Sequence, residues 1–152
     1  MFFRKKPGEG RNIALFVDGP NIIRREFNID LDELRKIVDK HGRIVIGKVF
    51  LNQHAPNKLI EAVANQGFEP KVLLAGEAEA DVDVGVAVEI VKSAFNDKID
   101  IIALVSRDAD YLPAIQFAKE KGKKILVIGI NPGFSKALQN AADHVELLSR
   151  RV

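Results

Sequence analysis

The sequence contains no cysteine and no tryptophan, and it has one tyrosine and one methionine. Without cysteine there are no disulfides, zinc–thiolate centres or thiol nucleophiles, which fits a reducing compartment. No apolar run approaches the roughly 18 residues that a membrane-spanning helix needs. The basic residues Arg4, Lys5 and Lys6 are not followed by the apolar core of a signal peptide. We therefore expect a cytoplasmic protein with no place in a membrane.

Several familiar ligand-binding and catalytic motifs are also missing. No GxGxxG follows the first predicted strand and no GxxxxGK[ST] occurs, so the sequence lacks the usual phosphate cradles for dinucleotides and nucleoside triphosphates. Ser106 does not lie in a GxSxG motif. The three histidines, His41, His54 and His144, are far apart without ligand spacing, and we interpret each as a surface or edge residue.

Charge is nearly balanced overall, with a formal net charge of +2, but it is unevenly placed along the chain. Eight acids lie at two predicted strand ends or around one acidic segment: Asp18, Glu77, Glu79, Asp81, Asp83, Glu89, Asp108 and Asp110. Removing these eight from the 21 acids leaves 13, against 23 basic residues. A basic body around an acidic pocket suits a polyanion held over bound cations. An ordinary surface of mixed charge explains the same composition equally well.

Hydrophobic patterning predicts an α/β fold, because apolar strands alternate with helices of 10 to 15 residues and such βαβ units form parallel sheets. Residues 1–11 hold Pro, two Gly and four basic residues and are predicted to form a flexible arm before a single domain at 12–152. The predicted strands are 12–17, 43–51, 68–74, 99–105, 124–128 and 145–148. The predicted helices are 56–65, 82–95, 111–121 and 135–142, with another capped by Asp30 or Asp32 and closed by Gly42. The order of the strands is not readable from the sequence.

Acidic residues follow two of the most apolar strands. Asp18 ends the first strand, and Asp108 and Asp110 follow the strand that ends at Val105. Because ligands of open α/β sheets bind outside the carboxyl ends of the strands, we expect these carboxylates in one pocket. Asp83 opens a helix that would approach the same edge. Each acid also has a structural explanation, since aspartate often caps helices or stabilises turns and residues 77–83 could be a solvated run.

Carboxylates crowded into one pocket repel one another, so they cannot all stay ionised without compensation. Hard divalent cations supply it, and Mg²⁺ prefers a few carboxylates together with water and phosphate oxygens. A metal in such a place can activate water and stabilise the leaving oxygen of a phosphodiester.

Three segments resemble the motifs of NYN domains, a branch of the PIN-like nuclease superfamily. Residues 17–21, VDGPN, resemble the opening VDGxN motif. Residues 82–84, VDV, with an acid at Glu89, resemble the middle VDVxxxxxD motif, and residues 105–111, VSRDADY, resemble SGDGDF. The closing pattern of the family is matched by Ser135, Leu138, Ala142 and Asp143. The likeness extends from about residue 11 to residue 148.

This resemblance implies a three-layer α/β/α sandwich with a central, mostly parallel sheet of the PIN-like or Rossmann-like kind. It also implies a nuclease that depends on Mg²⁺ or Mn²⁺ and acts on RNA. Carried over by position, catalytic and metal-binding roles fall on Asp18, Asp83, Asp108 and Asp110, and a further metal-ligand role on Glu89. Asn21 and Ser106 would support these residues or touch substrate.

The sequence departs from the family pattern at three places. Glu89 stands where the family commonly has Asp, Arg107 replaces the first Gly of SGDGDF, and residues 79–81, EAD, replace a common Lys-Gly. Six residues along a helix rotate by about 600°, or 240°, so Asp83 and Glu89 do not share a helix face. This geometry makes Glu89 the site residue with the weakest support.

Three functions are compatible with these features. The first is a metal-dependent ribonuclease acting on single-stranded RNA without sequence specificity, since no aromatic base-stacking face is evident. The second is an RNA-binding or scaffold module with a weakly active or inactive pocket, and the third is a phosphatase of small phosphate esters. Whether the chain forms a homodimer stays open. In each RNA-based function, the residues expected to contact phosphates are Arg4, Lys5, Lys6, Arg11, Arg24 and Arg25.

Overall fold

The structure is a computed structural model that describes residues 10–25, 27–74 and 79–150, with the side chains of 79–81 excepted. The predicted arm therefore lies outside the described residues, apart from Gly10 and Arg11. The same holds for Arg4, Lys5, Lys6 and Glu77, and for the side chains of Glu79 and Asp81. Among the described residues, no helix is both long and apolar enough to cross a membrane.

The described residues form six strands and six α-helices, and at least one helix lies between each strand and the next. The strands are β1 (Asn12–Asp18), β2 (Arg43–Asn52), β3 (Glu69–Leu73), β4 (Ile101–Val105), β5 (Lys124–Gly129) and β6 (His144–Leu147). The helices are α1 (Gly19–Ile22), α2 (Leu31–Asp39), α3 (Asn57–Asn65), α4 (Glu79–Ala94), α5 (Leu112–Glu120) and α6 (Lys136–Ala141). A 3₁₀ turn, Ala109–Tyr111, joins β4 to α5.

All neighbouring strands pair in parallel, in the order β3-β2-β1-β4-β5-β6. The predicted α/β fold with a parallel sheet is thus confirmed. The chain winds outward from β1 to the β3 edge, returns through α4, and winds outward again from β4 to the β6 edge. The strand order reverses between β1 and β4, and in such sheets a crevice opens there beyond the carboxyl ends of the strands.

The central strand β1 is buried on both faces, which explains its continuous apolar sequence. Alternate residues contribute to two cores. Ile13, Leu15 and Val17 belong to the core covered by α2 and α3. Ala14 and Phe16 belong to the core covered by α4, α5 and α6. The sheet therefore lies between two helical layers, as a three-layer sandwich.

The helix α2 shows how local sequence fixes an element. Its N-cap is Asp30, whose Oδ1 accepts hydrogen bonds from the backbone N–H groups of Asp32 at 2.9 Å and Glu33 at 3.4 Å. This satisfies two donors that the first turn of a helix leaves without partners. The apolar stripe of Leu34, Ile37 and Val38 faces the sheet. Of the two caps predicted, Asp30 is the one observed.

Candidate functional site

Four aspartates lie at the carboxyl edge of the sheet, on both sides of the β1–β4 junction. Asp18 is the last residue of β1, Asp83 lies in the N-terminal part of α4, and Asp108 and Asp110 follow β4. One carboxylate oxygen from each of Asp83, Asp108 and Asp110 lies within 4.8 Å of the others. Asp18, Asp83 and Asp108 line one small recess, which we call the acidic recess, together with Asn21 and Arg24.

The buried hydroxyl of Tyr111 lies between two of these carboxylates. Its oxygen is 2.8 Å from Asp18 Oδ2 and 3.1 Å from Asp83 Oδ1. A phenol carries one proton, so it donates to only one of two ionised carboxylates at a time. Tyr111 occupies the last position of the SGDGDF-like segment, where the motif has Phe. Sequence reasoning missed its role, although it is the only tyrosine of the chain.

Burial and mutual repulsion oppose ionisation in the acidic recess. Burial is the largest of the causes that raise the pKa of Asp18 to about 6. The charges of Asp83 and Asp108 also raise this pKa, and the hydrogen bonds from Tyr111 and Asn21 lower it. Partial burial likewise raises the pKa of Asp83, with repulsion from Asp108 and Asp110. Burial beside these anions also raises the pKa of Tyr111 well above its usual range. Tyr111 is therefore a proton donor at neutral pH.

Asn21, in α1, and Ser106 connect the helix after β1 to the turn after β4. The backbone N–H of Asn21 donates to Asp18 Oδ1 at 3.4 Å. Its side-chain Oδ1 accepts from the backbone N–H of Arg107 at 2.8 Å and from the Ser106 hydroxyl at 3.4 Å. Ser106 is fully buried, and its oxygen accepts from the backbone N–H of Asp108 at 3.1 Å. These bonds fix Asp18 and Asp108 relative to each other.

The guanidinium of Arg107 spans the same region. Its Nε and Nη2 donate to the carbonyl of Asn21 at 3.3 and 3.1 Å, and Nη1 donates to the carbonyl of Pro132 at 2.9 Å. The Cζ atom stands 4.7 Å from the centroid of the Phe27 ring. Arg107, which replaces a glycine of the family motif, therefore connects its own loop after β4 to the segment between β1 and α2 and to the loop between β5 and α6. Its partners are distant in sequence, so no local pattern could have identified them.

Other predicted site residues lie elsewhere. Glu89 follows Asp83 by about 9 Å along the axis of α4 and contacts Lys48 of β2 at 3.2 Å and Lys92 at 3.4 Å. It is not part of the acidic cluster, in keeping with the helical rotation between the two positions. We therefore leave it out of the proposed ligand set.

The three described basic residues that were predicted to contact RNA are divided between two edges of the sheet. Arg24 lines the acidic recess, and Arg25 is exposed in the same loop. Arg11 precedes β1, so it lies at the opposite, amino edge, about 20 Å from the recess along a strand of this length. Its carbonyl accepts from the backbone N–H of Arg43 at 2.8 Å, which attaches it to the end of the sheet.

A parallel sheet between two helical layers, with aspartates clustered at its switch point, is compatible with a PIN-like domain. The model of the NYN domain family matches residues 12–148. The chain belongs to the NYN family, within the PIN-like nuclease superfamily, and the predicted resemblance is confirmed.

The chain is also similar to two further proteins. A protein of Methanocaldococcus jannaschii described as uncharacterized is 60% identical over 142 residues, which cover 93% of this chain and 57% of that relative. The chain thus spans little more than half the length of this curated relative. A crystal structure of a protein of unknown function from Vibrio parahaemolyticus matches with a TM-score of 0.78 and 22% identity, covering 90% of this chain and 92% of that one. This second likeness supports the fold alone.

Proposed function

We propose that the domain is a metal-dependent ribonuclease that hydrolyses phosphodiester bonds of RNA at the acidic recess. The observation that carries the proposal is the meeting of Asp83, Asp108 and Asp110 within 4.8 Å beside the buried Asp18. These residues come from distant parts of the chain and converge where α/β sheets bind ligands. Such a cluster is costly without a cation, which favours a metal site over a set of separate helix caps.

The donor set fits Mg²⁺ or Mn²⁺. It consists of carboxylate oxygens, which hard cations prefer, and it lacks the cysteine and histidine ligands typical of zinc. Asp83, Asp108 and Asp110 would hold the ion, with Asp18 completing the set from the opposite strand. When bound, the metal supplies an activated water and stabilises charge on the scissile phosphate.

The other residues of the recess hold its geometry. Tyr111 supplies one proton between Asp18 and Asp83, which reduces their repulsion. Asn21 and Ser106 fix the turns that carry Asp18 and Asp108. Arg24, at the wall of the acidic recess, would contact a phosphate of the bound strand, where a guanidinium offers several donors at once.

The direct test is cleavage of mixed-sequence single-stranded RNA with Mn²⁺, run in parallel with excess chelator. The proposal expects cleavage that the chelator abolishes. Cleavage unaffected by chelator would contradict a metal-dependent site. RNA binding without any cleavage would instead support a scaffold module, and hydrolysis of small phosphate esters but not RNA would support a phosphatase.

The raised pKa of Asp18 predicts that metal-free stability rises as the pH falls. Because Asp18 has a pKa of about 6 when folded and 3.8 as its ordinary value, the folded state takes up its proton first. Lowering the pH through 6 therefore stabilises the fold, by at most about 3 kcal/mol. About half of this limit, roughly 1.4 kcal/mol, is gained by pH 5. For a domain of this size the melting midpoint should therefore be about 3–6 °C higher near pH 5 than at pH 8.

Mn²⁺ should reverse this trend, because a cation stabilises the ionised carboxylates. At a hundredfold excess over its dissociation constant it should add about 2.7 kcal/mol at pH 8, and less near pH 5 where protons compete. Thermal melts at both pH values, with and without Mn²⁺, measure both effects. The Asp18→Asn variant is the control, since it should lose most of the metal-free pH dependence. Equal midpoints with and without millimolar Mn²⁺ at pH 8 would contradict the shared site.

RNA affinity should fall steeply with salt, and residues 1–9 should account for part of the slope. Each phosphate contact on a single strand adds about 0.7 to the slope of log affinity against log salt concentration. Deleting residues 1–9 removes Arg4, Lys5 and Lys6 but keeps Arg11, whose carbonyl is bound to Arg43. The slope should decrease by about 2. An unchanged slope in fluorescence-anisotropy titrations would show that these three residues do not contact RNA.

A further inference from the structure

A second cavity adjoins the acidic recess. It lies between α1 and the loop from β2 to α3, and its volume is about 250 Å³. Pro20 lines both this cavity and the acidic recess, so the two lie side by side. We call it the side cavity. The lining residues that matter below are Pro20, Ile23, Asn52, His54, Ala55 and Leu59.

The chemistry of the side cavity differs from that of the acidic recess. None of the described residues that line it is acidic, and Pro20, Ile23 and Leu59 make its walls largely apolar. Asn52 and His54 provide polar groups, and the backbone N–H of His54 donates to Asn52 Oδ1 at 2.9 Å, which shapes the loop. An apolar cavity with a few polar groups accommodates a flat heterocycle, whereas a phosphate would lose its hydration there without adequate compensation.

Charged residues around the side cavity limit how a bound RNA strand can run past it. Beyond Ile23 and Leu59 the surface continues into a wider groove that carries Asp30 and Asp32. These acids disfavour a phosphate backbone continuing in that direction. A path for the RNA phosphate backbone past basic residues lies instead at Arg24, on the wall of the acidic recess, and at the exposed Arg25 beside it. The side cavity is therefore suited to one inserted group beside the acidic recess.

We propose that the side cavity binds the nucleobase adjoining the scissile phosphate. The inference rests on the proposed function, because it takes the phosphate to lie at the acidic recess. The base would stack against Pro20 and the imidazole of His54, a mode that tolerates any base because each has a π face. The side cavity thus positions the RNA by holding one base, and it accepts any of the bases equally.

The test is a scan of single-stranded RNA substrates in which one nucleotide at a time is abasic. With Mn²⁺, kcat/KM should fall by roughly tenfold, mainly through KM, when the missing base adjoins the cut, as expected for one stacked base. Two variants remove the cavity from the protein side. His54→Ala deletes a stacking surface, and Ala55→Phe fills the cavity.

Matched controls lie outside the side cavity. Gln53→Ala changes the exposed neighbour of His54, and Ala64→Phe adds the same ring to an exposed position of α3. Both should cleave every substrate at the wild-type rate. His54→Ala and Ala55→Phe should lose roughly tenfold on the intact substrate and almost nothing more on the abasic one. Circular dichroism checks each fold, and if Ala55→Phe does not fold, His54→Ala decides alone.

Two results would overturn the side cavity as a base site. The first is a kcat/KM that is the same for every position of the abasic nucleotide. The second is that the loss caused by His54→Ala or Ala55→Phe adds in full to the loss caused by the abasic nucleotide. If no RNA is cleaved under any condition, the proposed function fails separately. In that case the same abasic RNAs, carrying a fluorescent label, test the base site through their binding affinities, measured by fluorescence anisotropy. A loss of affinity at one abasic position that disappears in His54→Ala supports the base site, and an affinity independent of every base overturns it.

Discussion

Replacing Asp108 with asparagine is expected to reduce Mn²⁺-dependent RNA cleavage by at least about 100-fold, because residues that merely support metal ligands already contribute 10- to 100-fold. Asp108 Oδ1 accepts from the backbone N–H of Asp110 at 2.9 Å. An asparagine Oδ1 can accept the same bond, so the turn is preserved. What is lost is the negative charge that would hold the cation between Asp83 and Asp110.

The measurement is initial cleavage rate in Mn²⁺, with RNA affinity determined in parallel. Affinity should stay equal or increase, since an anion facing the phosphates is gone. Asp39→Asn provides the same charge change at an exposed position at the end of α2 and should cleave at the wild-type rate. Glu89→Gln should have a much smaller effect, because Glu89 contacts Lys48 and Lys92. A near-normal rate for Asp108→Asn would show that hydrolysis does not depend on this cluster.

Gly19→Ala should be among the most destabilising single changes in the chain, with a loss of about 3 kcal/mol or more in unfolding free energy. A Cβ at Gly19 would overlap the carbonyl oxygen of Phe50 and approach Leu51 Cδ2 to 2.9 Å. The carbonyl belongs to β2, paired with β1 at Asp18, so it cannot move aside without disturbing the sheet. To remove this overlap, α1 would have to shift and would displace Asp18, so the rate of RNA cleavage should fall as well.

Urea unfolding of the wild type and both glycine variants tests this expectation. Gly122→Ala is the control: Gly122 has φ of +87° but nothing within 4 Å of a Cβ. It should show only backbone strain, of order 1 kcal/mol. If the two variants are equally stable, the close approach of β2 to Gly19 does not limit this position.

The sequence was sufficient for the strands and the longer helices, because their apolar spacing is periodic and their caps are local. Predicted strand ends lie within two residues of the observed ones, with the largest difference at β4, which begins at Ile101 and not at 99. The helix α1 was missed, since four residues are too few to show a helical period. Strand order was unpredictable because it depends on which faces pack, a property of the whole chain.

For the site, the sequence predicted that acids follow strands but could not supply contacts between distant residues. Asp83, Asp108 and Asp110 lie together as expected for one pocket. The sequence did not predict that the hydroxyl of Tyr111 lies between two carboxylates. An aromatic residue directly before a partly apolar helix is typical of a residue that only packs in the core. The sequence also could not show that Arg11 lies at the amino edge of the sheet or that Glu89 contacts Lys48 and Lys92. The roles predicted for these two residues stay predictions.

The junction between β1 and β4 also determines when the site can exist. The first three strands and the last three form two halves of the sheet, and Asp18 belongs to one half while Asp108 belongs to the other. The bond from Tyr111 to Asp18 spans 93 positions of the chain. Contacts of such separation carry the loop-closure entropy of the intervening chain and tend to form late in folding. A nascent chain would therefore acquire its acidic recess only when its second half docks, so a partly made chain would lack the complete set of carboxylates.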